Sequence, residues 1–177
     1  MEQQGEQSYT VTCISCGKET LNVKDVYYNI PKFGIMVISS MLCSNCGYRV
    51  FDTTSLDTQG PARIEFKVNK SKDLYAKVIR SSTSSIRIPE LGLELTPGSR
   101  AEAFVTDVEG VLDRFLEITE QLINSADIKP IDNAIAVRER IKLAMEGKVP
   151  FTIVIEDEAG NSAIVPENET SGDTAVY

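Results

Sequence analysis

Histidine is absent from all 177 residues, and that single absence removes most enzymatic readings. Ser-His and Cys-His nucleophile pairs need an imidazole and cannot be built here. Any metal site must draw on cysteine or carboxylate, and a cupin-like catalytic barrel, which commonly recruits histidine ligands, is set aside for the same reason. Long apolar runs are missing too. Nothing approaches the roughly 18 consecutive apolar residues of a membrane span, and the polar, acidic stretch Met1 to Thr10 does not resemble a secretory signal. Neither GxxxxGK[ST] nor GxGxxG occurs, so nucleotide phosphates have no visible cradle. Basic residues are outnumbered, 18 Lys and Arg against 26 Asp and Glu for a net charge of -8, and they are scattered rather than gathered into a stripe. Nucleic acid binding draws much of its affinity from phosphate neutralisation, so this balance argues against it. The expectation is a soluble cytoplasmic protein, not an enzyme, with neither a membrane nor nucleic acid as partner.

What the chain does contain is four cysteines in two copies of one pattern, Cys13-Ile14-Ser15-Cys16-Gly17 and Cys43-Ser44-Asn45-Cys46-Gly47. Paired CxxCG motifs are the spacing by which two tight turns offer four thiolates to one tetrahedral zinc ion. Disulfides belong to oxidising compartments, and a redox dithiol needs a CxxC opening a helix, whereas the valine and threonine before Cys13 read as strand. Cys13, Cys16, Cys43 and Cys46 are therefore the predicted ligands. A glycine after each pair lets the turn fold its N–H groups toward sulfur and stabilise thiolate charge. A four-cysteine site leaves no coordination position open to substrate or water, which makes the predicted Zn2+ single and structural.

Twenty-six residues separate the pairs, far more than the roughly 12 of a finger built on a recognition helix. They read as strands, Leu21 to Asn29 and Phe33 to Leu42, broken by Ile30-Pro31-Lys32. Two knuckles on a β-hairpin make a zinc ribbon, placed at residues 1–60. After Gly60-Pro61 the pattern becomes short alternating segments: Ile64, Phe66 and Val68; Ile86 and Ile88; Leu91, Leu93 and Leu95; Phe151, Ile153 and Ile155. These point to a β-sandwich or jelly-roll-like body over residues 61–165. Within it a helical hairpin is predicted at about residues 107–147. Thr106-Asp107-Val108-Glu109 fits a capping box ahead of a helix from Asp107 to Asn124, and a second helix follows Pro130 and stops at Gly147. Glu156-Asp157-Glu158 before Ala159-Gly160-Asn161 reads as a charged hairpin turn rather than an acid/base pair. Residues 166–177, rich in polar groups, read as a flexible solvated tail. The fold class is mainly β with a helical hairpin.

Several segments together resemble the ZPR-type zinc-finger family. They are the two CxxCG motifs, Ile30-Pro31-Lys32-Phe33, Lys72-Asp73-Leu74, Ser85-Ile86-Arg87-Ile88-Pro89-Glu90-Leu91, Thr106-Asp107-Val108-Glu109-Gly110-Val111-Leu112, and Pro150-Phe151-Thr152-Ile153 with Ala159-Gly160-Asn161-Ser162. CxxCG is common to many ribbons; the I-R-I-P-E-L and V-E-G-V-L segments make the resemblance specific. It implies a ribbon beside a double-stranded β-helix or sandwich body, in a single module of archaeal type rather than the two tandem modules of eukaryotic members. It also implies binding of translation elongation factor 1 alpha and assistance to its folding, with an RNA- or ribosome-associated ribbon as the alternative. Candidate partner-contact residues are Ile30, Pro31, Phe33 and Gly34 at the ribbon bend, Arg87 and Glu90 in the I-R-I-P-E-L segment, and Gly110, whose place inside a helix calls for close packing or a contact.

Overall fold

Four antiparallel strands, β1 (Glu2–Thr12), β2 (Glu19–Ile30), β3 (Gly34–Cys43) and β4 (Arg49–Ser55), form the N-terminal sheet in the order β1-β2-β3-β4. The computed structural model describes residues 1–57, 60–99, 101–125, 131–167 and 174–177. β2 and β3 are the predicted hairpin, paired from Leu21 opposite Cys43 down to Ile30 opposite Gly34. Pattern reading missed β4 and also β1. It pairs along β2 from Glu2 opposite Asn29 to Thr12 opposite Glu19, yet all eleven of its residues are exposed. A strand solvated on both faces has no apolar alternation to reveal it.

Below the ribbon, strands β5 (Ala62–Val68), β6 (Lys77–Arg80), β7 (Ser84–Ile88), β8 (Leu93–Leu95), β9 (Phe104–Asp107), β10 (Phe151–Asp157), β11 (Ala163–Val165) and β12 (Thr174–Val176) build two sheets. The larger runs β12-β5-β10-β7-β8 and the smaller β11-β6-β9, the two-layer arrangement of a jelly roll or sandwich. The period-two residues behave as their spacing demands. Ile64 and Phe66 on β5, Ile86 and Ile88 on β7, and Ile153 and Ile155 on β10 are all fully buried in one core. Leu91 departs from the expected strand: it sits in a short 3-10 turn, Pro89–Leu91, and Leu93 opens β8.

Helices α1 (Val108–Asn124) and α2 (Ile131–Met145) pack against each other, and bury Val108, Val111, Leu112 and Phe115 of α1 with Ile141 and Ala144 of α2 in the same core. The cap of α1 is Asp107 rather than Thr106. The Asp107 carboxylate at the end of β9 accepts the Gly110 N–H at 2.8 Å, so the expected capping box starts one residue later as a single aspartate cap. The predicted role of Pro130 lies outside the described residues.

The expected tail also requires correction. Val165 ends β11, and Thr174–Val176 pairs with β5 from Thr174 opposite Phe66 to Val176 opposite Ile64, so the chain's last residues complete a sheet edge. The Arg63 and Tyr177 backbones exchange both bonds, at 3.1 and 2.9 Å. Main-chain pairing, which composition does not register, holds this segment.

The two sheet systems share one core. Ile30, Phe33 and Met36 of the ribbon hairpin belong to the same buried cluster as Ile64, Phe66 and Ile155. Burying each of those side chains contributes about 1.5–3 kcal/mol. A polar clamp lies beside them: the Ser55 N–H donates to Asn161 Oδ1 at 2.9 Å and the Thr53 hydroxyl to the Asn161 carbonyl at 3.1 Å. Asn161 is itself held by Asp157, a buried carboxylate that accepts from Ser81 and Ser162 hydroxyls at 2.8 and 2.6 Å, from Thr83 at 2.7 Å, and from the Ala159 and Asn161 N–H groups. Burial pushes this carboxyl upward, but the bonds from Ser162, Thr83, Ser81 and Ala159 outweigh it and hold Asp157 below the usual carboxylate range. The expected charged turn is thus a packed structural hub.

Candidate metal centre

Each CxxCG motif folds into the same small turn. In the first, the Cys13 N–H donates to the Lys18 carbonyl at 2.7 Å and the Gly17 N–H to the Cys13 carbonyl at 2.8 Å. In the second, Cys43 N–H reaches the Tyr48 carbonyl at 2.7 Å and Gly47 N–H the Cys43 carbonyl at 3.0 Å. Identical spacing gives identical bonds. Gly17 and Gly47 close these turns at φ of 72° and 73°, a left-handed conformation that a side chain would strain. The two knuckles are then tied together: the Lys18 ammonium donates to Asn45 Oδ1 at 2.9 Å and the Ser44 N–H to the Thr20 carbonyl at 3.0 Å.

The sulfurs converge. All four Sγ atoms lie within 4.8 Å of one another, and Cys13 to Cys46 and Cys16 to Cys43 are both 3.8 Å apart. Four thiolates about 2.3 Å from a tetrahedral zinc stand roughly 3.8 Å from each other, so the donor set fits that ion in number, chemistry and spacing. Cys13 and Cys43 are buried and pack with Leu21, Met41 and Tyr48 in a small cluster separate from the main core.

The electrostatics call for a cation. The Thr20 hydroxyl, 3.2 Å from Cys43 Sγ, pulls that thiol down to about 6 against the opposing effect of burial, with help from the Cys46 and Asn45 N–H groups. A backbone bond from Lys18 likewise lowers Cys16, again against burial. The Tyr48 N–H acts in the same direction on Cys46, yet burial and the neighbouring Cys43, Cys13 and Cys16 sulfurs prevail and push that thiol up to about 11. With Cys43 lowered and Cys46 raised, the crowded thiols are set against each other; a dication between the sulfurs would favour the thiolate form and remove that conflict. Cys13, Cys16, Cys43 and Cys46 are positioned to chelate a single structural Zn2+.

Two family descriptions match this chain: a ZPR1 zinc-finger domain over residues 7–55 and a ZPR1 jelly-roll domain over residues 72–176, the latter more than half of the chain. The chain belongs to the ZPR1 family. A ZPR1-like protein of Methanocaldococcus jannaschii is 38% identical over 164 residues, which cover 92% of this chain and 83% of that protein. One from Pyrococcus horikoshii is 38% identical over 167 residues, covering 90% and 74%. The zinc finger chaperone zpr1 of Schizosaccharomyces pombe is 29% identical over 162 residues, and there the match covers 88% of this chain but 35% of the longer relative. The resemblance to archaeal ZPR1-like proteins holds. The fission yeast relative is named a zinc finger chaperone, and this chain is a zinc-binding module of the same family.

The candidate contact residues fall out differently. Ile30 and Phe33 are 0% and 6% exposed in the shared core, which corrects their expected place on a partner surface: the ribbon bend is a docking peg for its own jelly roll. Pro31 is exposed beside them. Gly34 is half-buried, with Asp57 in the space its side chain would need and the Ile35 N–H bonded to that carboxylate at 2.6 Å. Arg87 is paired with Glu156 at 2.6 Å, and Glu156 also meets Arg63. Glu90 accepts the Thr152 N–H at 3.1 Å. Gly110 lies against Thr106 Oγ1, 2.1 Å from where a Cβ would sit, so close packing at the helix cap accounts for it. Sequence reading missed the cleft on the ribbon sheet, because whether the face carrying Leu42 and Phe51 is covered depends on how far the jelly roll extends along it. Among the described residues, no helix is long and apolar enough to cross a membrane.

Proposed function

We propose that this chain acts in the cytosol as an adaptor or chaperone that binds translation elongation factor 1 alpha and assists its folding. The observation that carries the reading is the match to both ZPR1 domains in one chain, with a fission yeast relative named as a chaperone. Physical support comes from the build of the ribbon. A zinc-pinned sheet docked into a second core presents a preorganised surface, which lowers the ordering cost of holding a partner. The net charge of -8 disfavours the RNA-associated alternative.

Retention of elongation factor 1 alpha on the immobilised, zinc-loaded chain tests the proposal, using nascent and nucleotide-bound forms separately. Capture of at least one form, lost when the metal is stripped, is expected. Failure to retain either form with zinc in place overturns it.

A further inference from the structure

The ribbon sheet is covered unevenly. Strict alternation along the ladders puts Ile30, Met36, Thr53 and Ser55 on the face that docks into the jelly roll, and Asn22, Lys24, Leu42, Arg49 and Phe51 on that same face farther toward the zinc end. There the jelly roll no longer covers it. What remains is a cleft of about 760 Å³ between the sheet and Glu102, in the loop from β8 to β9. Leu42 is 56% exposed in it, and Phe51 is half-buried.

The opposite wall is fixed. Arg80, 3% exposed, donates to the Glu102 carbonyl at 3.0 Å and to the Ser84 carbonyl at 2.6 Å, and its guanidinium stacks on Phe104. The clamp from Asn161 to β4 fixes the sheet on the other side. The cleft is therefore held open by the packed body.

Its lining sets two cations, Lys24 and Arg49, against one carboxylate, Glu102 on the facing wall, a balance that departs from the acidic excess of the chain. Arg49, directly opposite Leu42 in the ladder, makes no ion pair among the described residues, and Lys24 is shared with Glu6 at 3.0 Å across the sheet surface. On a molecule of net charge -8, a free guanidinium beside an uncovered leucine and a phenylalanine is complementary to a carboxylate next to a large apolar side chain. A groove this open would leave a small molecule half in water, whereas an extended segment can lie across the strands. We infer that this cleft is a docking site for an extended protein segment that carries an acidic residue beside a large apolar one. The inference rests on the protein-interaction reading and adds to it the site and the chemistry of the contact.

Two labelled ten-residue peptides provide the test, one containing Glu-Leu-Asp-Phe and the other Lys-Leu-Lys-Phe, titrated with the zinc-loaded full chain by fluorescence anisotropy. The acidic peptide should bind at least tenfold more tightly. Arg49→Glu and Leu42→Asp should each weaken it tenfold or more, with zinc content and circular dichroism unchanged, while Ile118→Asp on the exposed side of α1 should not. If Leu42→Asp loses zinc, Arg49→Ala and Lys24→Glu carry the same test. Equal binding of both peptides, no binding of either, or indifference to Arg49→Glu overturns the inference. So does a dimer in light scattering that Arg49→Glu dissociates, since a second copy would then fill the cleft. Retention of the elongation factor by wild type and Arg49→Glu alike would overturn this site and leave the proposed function standing. A selective acidic peptide with no retention of the factor would do the reverse.

Discussion

Single residues in this molecule act through the turns they lock. Cys43 has the Thr20 hydroxyl and two turn N–H groups aimed at its sulfur, and its backbone begins the second knuckle. Cys43→Ser should abolish stoichiometric zinc, measured by elemental analysis; a variant still holding one zinc per chain would refute the ligand set. Gly110 is a case of opposing effects. An alanine in a helix gains about 1 kcal/mol over glycine, but here its Cβ would meet Thr106 Oγ1 at 2.1 Å and crowd the Asp107 cap at 3.2 Å. Gly110→Ala should therefore cost about 1 kcal/mol in urea unfolding, and adding Thr106→Ala should restore the loss; stabilisation by the single change would show that the cap yields freely. Asp157 sets an acid dependence. Its folded-state pKa lies below the ordinary carboxylate value, so it contributes stability that is fully present above the unfolded pKa of about 3.9 and lost as pH falls through the folded value. Asp157→Asn places an amide N–H₂ among five donors, which should cost about 3 kcal/mol or more at pH 7 and flatten the stability curve below pH 4.

At the scale of elements, legibility followed burial. β5, β7 and β10 alternate because one face meets the core, and α1 carries its apolar stripe for the same reason, so all four could be read from spacing. The knuckles were legible for a different reason, since metal geometry fixes cysteine and glycine positions directly. β1 and β12 were not, because backbone pairing at an edge leaves little trace in side-chain pattern. Nor could residue type alone decide whether the apolar bend at Ile30 and Phe33 faces a partner or its own core; that depends on where the jelly roll ends up. The β12 edge can be tested by removing Thr174 to Tyr177. Losing the two Arg63–Tyr177 backbone bonds should lower stability by about 1–2 kcal/mol and expose the Arg63 amide to hydrogen exchange. Unchanged Arg63 protection would mean that the edge is closed by something else.

The whole molecule joins a zinc ribbon to a jelly roll, and the junction decides how zinc loss propagates. A ribbon of this size buries little on its own, so its metal should supply much of its folding free energy. Its zinc end, however, packs as a separate cluster around Cys13, Leu21 and Cys43, whereas its bend is inserted into the main core through Ile30, Phe33 and Met36 and latched by Asn161. Chelation should accordingly melt the ribbon from the knuckles inward and stop at the junction. In hydrogen exchange after zinc removal, the Gly17 and Gly47 amides should lose protection while Met36 and Phe66 keep theirs. Collapse of Met36 protection in step with the knuckles would show that the ribbon unfolds as one unit despite its shared core. If the melt stops where expected, the cleft at Leu42 and Arg49 lies on the metal-dependent side of that boundary, and partner binding there is lost with zinc while the jelly roll stays folded.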